Sequence, residues 1–151
     1  MAKEIERKFL VKDDSFRSLA SEIHSIEQAY LSTTPEATVR VRIFDDSAWL
    51  TVKGRNQGAV RDEWEYQIPI EDARQMIEGC TGGKIIRKRR YRVGRWEVDE
   101  FSGSLQGLIV AEIELNSPGE QVELPDFIGR EVTDDPRYYN STLSTTFTIP
   151  D

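Results

Sequence analysis

Residues 3–11 read KEIERKFLV, and in this stretch Glu4, Glu6 and Lys8 alternate with apolar residues such as Phe9. Side chains two residues apart in a β-strand point to the same side of the sheet. The stretch therefore predicts a strand with one charged face and one largely apolar face.

The same alternation recurs along most of the chain. The other alternating segments are 38–44, 48–54, 61–69, 85–93, 95–101 and 108–115. Gln28-Ala29-Tyr30-Leu31 is the remaining strand, which makes eight. Short stretches rich in Asp, Asn, Gly and Ser separate several of these segments, as turns require. The pattern is typical of an antiparallel, mainly β protein.

Two helices are predicted between the strands. The first spans 14–23, where apolar residues recur on one helical face. The second begins near Glu71, with acidic residues in its first turn, and ends at Gly79. A shorter helical turn is expected after Ser117-Pro118. The tail from 135 to 151 has no clear period and carries no prediction.

The charged strand faces hold like charges in neighbouring pairs. These pairs are Glu4/Glu6, Arg40/Arg42, Glu63/Glu65, Lys88/Arg90, Glu97/Asp99 and Glu112/Glu114. Adjacent like charges destabilise a sheet, so a solvated face gains nothing from them. Either the strands are exposed and happen to be charged, or they close into a barrel with the charged face inside. The sorting of signs by strand favours the barrel, which also removes the edge strands.

In a barrel of this kind the apolar face lies outward and needs cover. The outward residues include Trp64, Tyr66, Trp96 and Val98. The two helices, a second copy of the chain, or both are candidates for this cover. The sequence does not distinguish these alternatives, so a homodimer remains one of the possibilities.

The interior of the barrel would bring cations and carboxylates together. The cations are Lys8, Arg40, Arg42, Lys53, Lys88 and Arg90, and the carboxylates are Glu4, Glu6, Glu63, Glu65, Asp99, Glu112 and Glu114. Guanidinium groups bind phosphate oxygens in pairs, and lysines act as point charges. Carboxylates suit Mg²⁺ or Mn²⁺, which also bind substrate phosphates. Together these groups predict phosphoryl chemistry.

Composition narrows the class of protein further. The chain has 151 residues, a mass of 17.3 kDa, a net charge of −7 and a single cysteine, Cys80. The negative charge disfavours nucleic acid as a partner. No apolar run approaches the roughly 18 residues of a membrane span. The single cysteine excludes an internal disulfide and fits a reducing compartment. The expectation is a soluble, cytoplasmic protein with one domain over residues 1–151.

At these residues the sequence resembles the CYTH superfamily, also called triphosphate tunnel metalloenzymes. The signature ExExK matches Glu4-Ile5-Glu6-Arg7-Lys8. Further segments that resemble the family are 28–31, 38–42, 50–53, 63–65, 86–91, 96–101, 111–115 and 131–140. The resemblance implies an eight-stranded antiparallel closed β-barrel that forms a charged tunnel, flanked by a few short helices. It also implies a linear triphosphate as ligand and a divalent metal, Mg²⁺ or Mn²⁺, as cofactor.

The resemblance also implies a role for each inward residue. The implied ligands of the metal that bridges the phosphates are Glu4, Glu6, Glu112 and Glu114. The implied ligands of a second metal, which activates water, are Glu63, Glu65 and Asp99. The implied contacts to phosphate oxygens are Lys8, Arg40, Arg42, Lys53 and Arg90. Lys88 is expected beside the attacking water or the scissile phosphate. Tyr30 is a candidate proton acceptor, with a packed aromatic as the alternative. Alternation places Glu97 on the face of Asp99, whereas the family pattern favours Asp99.

Three functions fit this reading. The first is metal-dependent hydrolysis of inorganic triphosphate to phosphate and pyrophosphate. Small bacterial members of the family with this layout most closely resemble the inorganic triphosphatases. The second is cyclisation of ATP to cyclic AMP, which needs an adenine pocket that the sequence does not reveal. The third is a non-catalytic module that binds polyphosphate or a nucleotide. The large acidic set argues against the third, because an anion receptor gains nothing from inward carboxylates.

Overall fold

The computed structural model describes the backbone of residues 2–150 and the side chains of residues 3–150. Its strands are β1 Ala2–Val11, β2 Glu22–Thr34, β3 Ala37–Phe44, β4 Ser47–Lys53, β5 Val60–Ile68, β6 Ile86–Val93, β7 Trp96–Phe101, β8 Ile109–Glu114 and β9 Ile128–Glu131. The helices are α1 Phe16–Leu19, α2 Ile70–Cys80 and α3 Asn140–Thr146, with 3₁₀ turns at Gly103–Leu105 and Pro136–Tyr138. All eight predicted strands are present, and β9 is additional.

Eight of the strands form one closed antiparallel barrel. Their order is β5-β4-β3-β2-β6-β7-β8-β1, and β1 closes the ring by pairing with β5, where Glu4 lies opposite Arg61. The pairing with β5 covers only residues 2–5 of β1. Further along β1, β9 pairs with it instead, and there Phe9 lies opposite Glu131. The predicted closed barrel is therefore confirmed.

Strand register turns the charged faces inward. Lys8 of β1 lies opposite Glu112 of β8, and Arg40 of β3 lies opposite Thr51 of β4. Directly opposite residues of an antiparallel pair point to the same face. Lys8, Arg40 and Thr51 are all buried, although none is an apolar residue. Burial of this kind requires partners or ligand for the charges.

The apolar outer face is covered by helices, as expected. Phe16 of α1 is fully buried, and its ring centroid lies 5.1 Å from that of Tyr91 on β6 and 6.1 Å from that of Phe127. On the other side of the barrel, Ala73 and Ile77 of α2 belong to a second apolar cluster. Full burial of one such large side chain contributes about 1.5–3 kcal/mol.

The cover is uneven among the aromatic residues of the outer face. Trp96 and Val98 are buried in the cluster beneath α1, so helix cover is sufficient there. Tyr66 on β5 is 61% exposed. Helix cover is therefore confirmed for Trp96 and Val98, and a second copy of the chain remains a prediction for the surface around Tyr66.

One end of the barrel is filled by apolar side chains. On the inward faces of β6, β7 and β8, the positions nearest this end are occupied by Ile86, Phe101 and Val110, and all three are buried. Tyr138 and Leu143, from the carboxyl-terminal segment, pack against them. The charged part of the interior therefore lies toward the other end of the barrel.

Three local predictions are corrected. The helix expected over 14–23 has only four residues, because β2 already begins at Glu22 and pairs there with β6. Gly79 lies inside α2, which continues to Cys80. The segment after Ser117 forms a turn and not a helix. Among residues 2–150, no helix has the length and apolarity that a membrane crossing requires.

His24 of β2 joins two acidic side chains at the surface. Its Nδ1 lies 2.6 Å from Asp45 Oδ2, and its Nε2 lies 3.1 Å from Glu22 Oε1. The hydrogen bond with Asp45, and then the one with Glu22, raises the pKa of His24 above its ordinary value of 6.5. A raised folded-state pKa stabilises the protein below the unfolded value, and this stabilisation is lost as pH rises through the folded value.

We expect the unfolding temperature of the wild-type protein to fall more between pH 6 and pH 9 than that of His24→Gln. The excess fall should be small, roughly 1–3 °C, because the pair is close to solvent. Thermal melts followed by circular dichroism at both pH values measure it. Parallel curves for the two proteins would mean that the imidazolium does not stabilise the fold.

Candidate active site

A cavity of about 180 Å³ lies in the charged part of the barrel. The predicted residues that line it are Glu4, Glu6, Lys8, Tyr30, Arg40, Arg42, Lys53, Glu63, Glu65, Arg90, Glu112 and Glu114. Of the predicted set, only Lys88 and Asp99 do not line the cavity. The strand alternation therefore brought nearly all of the predicted side chains to one place.

One wall of the cavity is acidic. It is formed by β1 and β8, where Glu6 lies opposite Glu114 and Lys8 lies opposite Glu112. Glu4 lies one inward position before Glu6 on the same strand. Four carboxylates thus share two neighbouring strands, with one lysine among them.

The carboxylates of this wall repel one another. Burial, then Glu112 and Glu4, raise the pKa of Glu6 well above its ordinary value. Burial and Glu4 also raise the pKa of Glu114. On the adjoining β5, burial and Glu4 raise the pKa of Glu63 to about 7. Each shift means that the ionised form lacks enough positive charge around it.

Two lysines partly neutralise the acidic wall. Lys53 Nζ donates to both oxygens of Glu4, at 2.8 and 2.9 Å, and lies 3.6 Å from Glu63. Lys8 Nζ lies 3.4 Å from Glu112 Oε1. Burial raises the pKa of Glu112, but Lys8 together with Lys88 and Arg90 more than offsets this, so that the pKa falls to about 2. These lysines do not reach Glu6, whose carboxylate forms no hydrogen bond or ion pair with any residue from 3 to 150.

The opposite wall is basic. Arg40 and Arg42 come from β3, and Arg90 comes from β6, with β2 between them. Arg40 donates to Thr51 Oγ1 at 3.1 Å and lies 3.5 Å from Glu65, while its buried Nε has no hydrogen-bond partner. A buried donor without a partner is rare in folded proteins and indicates a missing ligand or water.

Arg42 has an unbalanced charge. Among residues 3–150 it forms no ion pair, and its Nε donates to the amide oxygen of Gln28 at 3.1 Å. Burial, then Arg40 and Arg90, lower the pKa of Arg42 to about 9. A guanidinium pKa this low shows that the site disfavours another positive charge. The basic wall is therefore built to receive an anion.

Lys88 and Asp99 lie behind the basic wall. Asp99 accepts two hydrogen bonds from Arg90, at 2.8 and 3.0 Å, and lies 2.7 Å from Lys88 Nζ. Although burial raises the pKa of Asp99, these cations bring it far below its ordinary value. The Lys88 side chain has no exposed surface. Both groups thus hold Arg90 in place and do not face the cavity.

The acidic wall fits a hard divalent cation. Its donors are carboxylate oxygens, which Mg²⁺ and Mn²⁺ prefer. The raised pKa of Glu6 reflects a surplus of negative charge that a cation would relieve. Within residues 2–150, no three His, Cys, Asp or Glu side chains are already gathered into a metal site. The ligands would therefore have to converge around the ion.

Several lining residues were not predicted. They are Thr38, Asn56, Gly58, Ala59, Arg61, Glu97, Thr133, Tyr139, Asn140 and Ser141. Arg61 shares the strand face of Glu63, so alternation alone would have found it. Glu97 was placed inward by alternation and set aside for Asp99, yet Glu97 is the one that lines the cavity. The residues after 131 carry no strand or helix period that could have placed them inside.

Comparisons with known proteins agree with this geometry. The family described as CYTH domain matches residues 2–145. An inorganic triphosphatase of Acetivibrio thermocellus is 46% identical over 147 residues, covering 95% of this chain and 94% of that protein. One of Nitrosomonas europaea is 35% identical over 153 residues, covering 93% and 96%. The crystal structure of the inorganic triphosphatase NE1496 has a TM-score of 0.63 at 31% identity and covers 100% of this chain and 99% of that one.

Proposed function

The chain belongs to the CYTH domain family, and from this premise we propose that it hydrolyses inorganic triphosphate to phosphate and pyrophosphate inside the barrel. The relatives that are similar over nearly their whole length are inorganic triphosphatases. The observation that carries the proposal is the charge of Arg42, which is half-buried, forms no ion pair among residues 3–150 and lines the same cavity as the acidic wall.

The arginines and lysines would bind the phosphate chain. Lys8, Arg40, Arg42, Lys53 and Arg90 all line the cavity and are the proposed contacts to phosphate oxygens. Water attacks a terminal phosphorus, the bridging P–O bond breaks, and pyrophosphate leaves with the bonding electron pair. Guanidinium groups that are already in position stabilise the charge that develops on the leaving oxygen.

The acidic residues would hold the metal, for which both Mg²⁺ and Mn²⁺ suit the donors. One ion would be held by Glu4, Glu6, Glu112 and Glu114, and a second ion by Glu63 and Glu65. Bound metal supplies neutralisation of phosphate charge and a more acidic water. Asp99 belongs to this set by resemblance, but its oxygens already bind Arg90 and Lys88.

Two further residues keep proposed roles. Tyr30 lines the cavity and lies opposite Arg40 in the strand register, so its hydroxyl is the proposed acceptor of the water proton. Lys88 is proposed to act on the reaction through Asp99 and Arg90, since its own ammonium group lies behind them.

A homodimer is a separate proposal. Tyr66 leaves an apolar side chain exposed on β5 that no helix covers. Sedimentation equilibrium would show a mass near twice 17.3 kDa if a second copy packs there, and Tyr66→Asp should then reduce it to one copy. A monomeric wild-type protein would remove the proposal without affecting the active site.

We expect purified protein to release phosphate and pyrophosphate from inorganic triphosphate with a kcat/KM at least about 100-fold above that for ATP. The cavity lining is mostly charged, and among its described residues only Tyr30 and Tyr139 carry an aromatic ring that could contact a nucleoside. A site without contacts to the organic group gains no binding energy from it.

The measurement is a product assay with Mg²⁺ or Mn²⁺, in which phosphate, pyrophosphate and cyclic AMP are followed together. Inorganic triphosphate, ATP and pyrophosphate are supplied separately, and Glu6→Gln serves to exclude a contaminating phosphatase. Stoichiometric cyclic AMP and pyrophosphate from ATP would replace the proposal by a cyclase. Binding of triphosphate without turnover would indicate a non-catalytic receptor.

A further inference from the structure

The carboxyl-terminal segment contributes several polar residues to the cavity, and Asn140 is the one that bonds to two strands of the basic wall. Asn140 is the first residue of α3, and it lines the cavity. Its Oδ1 accepts a hydrogen bond from Gln28 Nε2 at 3.1 Å and another from Lys88 Nζ at 3.1 Å. One oxygen atom thus contacts side chains of β2 and β6, two paired strands of the basic wall.

The first of these bonds leads to Arg42. The Gln28 side chain is fully buried, and its Oε1 accepts from Arg42 Nε at 3.1 Å. Since the amide of Gln28 has one oxygen and one nitrogen, the bond to Asn140 fixes which of them faces Arg42. Arg42 has no ion pair among the described residues, so this amide sets the direction of its guanidinium group.

The second bond leads to Arg90. Lys88 Nζ lies between Asn140 Oδ1 and Asp99 Oδ2, at 3.1 and 2.7 Å. Asp99 in turn holds the guanidinium group of Arg90 with both oxygens. A change at Asn140 would therefore reach Arg90 through two fully or almost fully buried side chains.

We propose that Asn140 is a positioning residue, which aims Arg42 and Arg90 at the substrate and makes phosphate binding depend on the docked carboxyl-terminal segment. The inference rests on the proposed triphosphatase function. Asn140 acts through Gln28 and Lys88, and neither bond involves the acidic wall. Its loss should weaken binding of the phosphate chain more than it slows the chemical step.

The test compares Asn140→Ala with wild type in triphosphate hydrolysis and in triphosphate binding by calorimetry in EDTA. We expect KM and the dissociation constant to rise about tenfold, with kcat changed less than about threefold, since two buried hydrogen bonds are lost. Asn140→Ser keeps a residue type that suits a helix start, but the shorter side chain cannot reach both Gln28 and Lys88. Asn140→Ser should therefore show the same rise in KM as Asn140→Ala. Thr145→Ala, at an exposed position of the same helix, is the matched control.

A double-variant cycle separates positioning from loss of fold. Gln28→Ala combined with Asn140→Ala should raise KM by clearly less than the product of the two single effects, because both variants break the one path to Arg42 and only Asn140→Ala also breaks the path to Arg90. Additive effects, or an unchanged KM in both Asn140 variants, would overturn the inference. If wild-type protein neither binds nor hydrolyses triphosphate, the proposed function itself has failed, whatever the variants do.

Discussion

Glu6→Gln is expected to lower kcat for inorganic triphosphate by about a thousandfold or more, while the barrel stays folded. Glutamine keeps the size of glutamate but removes the charge that would hold the metal. Stabilisation of transition-state charge by a bound ion is worth several kcal/mol, and about 4 kcal/mol corresponds to a factor of 10³. Glu6 is a half-buried carboxylate of the acidic wall that forms no hydrogen bond or ion pair with a described residue, although Lys53 and Lys8 lower its pKa from a distance.

The same variant should not be less stable than wild type in the absence of metal. Burial, then Glu112 and Glu4, raise the pKa of Glu6 above the unfolded value, so its ionised form costs stability at neutral pH. The neutral amide removes this cost and breaks no ion pair. Thermal melts in EDTA at pH 8 should therefore give an equal or higher unfolding temperature for Glu6→Gln.

The activity measurement is phosphate release over a range of Mg²⁺ and Mn²⁺ concentrations. Glu123→Gln is the matched control, because Glu123 is exposed in a loop outside the barrel. It should retain full turnover. Undiminished turnover in Glu6→Gln, or loss that follows unfolding in the melts, would contradict the assignment of Glu6 to the metal.

The charged interior was predictable because strand geometry is simple. A period of two puts Arg40 and Arg42 on one face of β3, and the same rule puts Glu112 and Glu114 on one face of β8. The rule does not say how deep in the barrel each side chain lies. Lys88 shares the inward face of Arg90, but the barrel is filled at that level and Lys88 faces Asp99 and Asn140 instead of the cavity.

The carboxyl-terminal part was not predictable from local sequence. α3 has seven residues and α1 has four, lengths at which a helix forms only through packing. Leu143 of α3 has no exposed surface, and its contacts are with residues far away in the chain, such as Ile86. β9 has only four residues and pairs with β1 at Ile128 and Glu131 for the same tertiary reason, since the β1–β5 pairing leaves a gap there.

Arg42→Ala is expected to lower kcat/KM for inorganic triphosphate by about 10²–10³, mainly through KM. Removal of one partner from a buried charge pair costs about 2–5 kcal/mol. In the ligand-free protein Arg42 has no such partner, so the variant should fold normally, and the loss should appear only when the anion binds. Arg42→Lys keeps the charge without the two parallel donors and should recover only part of the loss.

Steady-state kinetics and triphosphate calorimetry in EDTA measure these two variants together. Arg87→Ala is the matched control, since Arg87 lies on the outer face of the neighbouring β6 and pairs with Glu27 near solvent. Equal kinetics for Arg42→Ala and Arg87→Ala would place Arg42 outside the substrate site. A loss in Arg42→Ala alone makes the unbalanced charge on β3 the means by which the barrel takes up a polyanion despite its own net charge of −7.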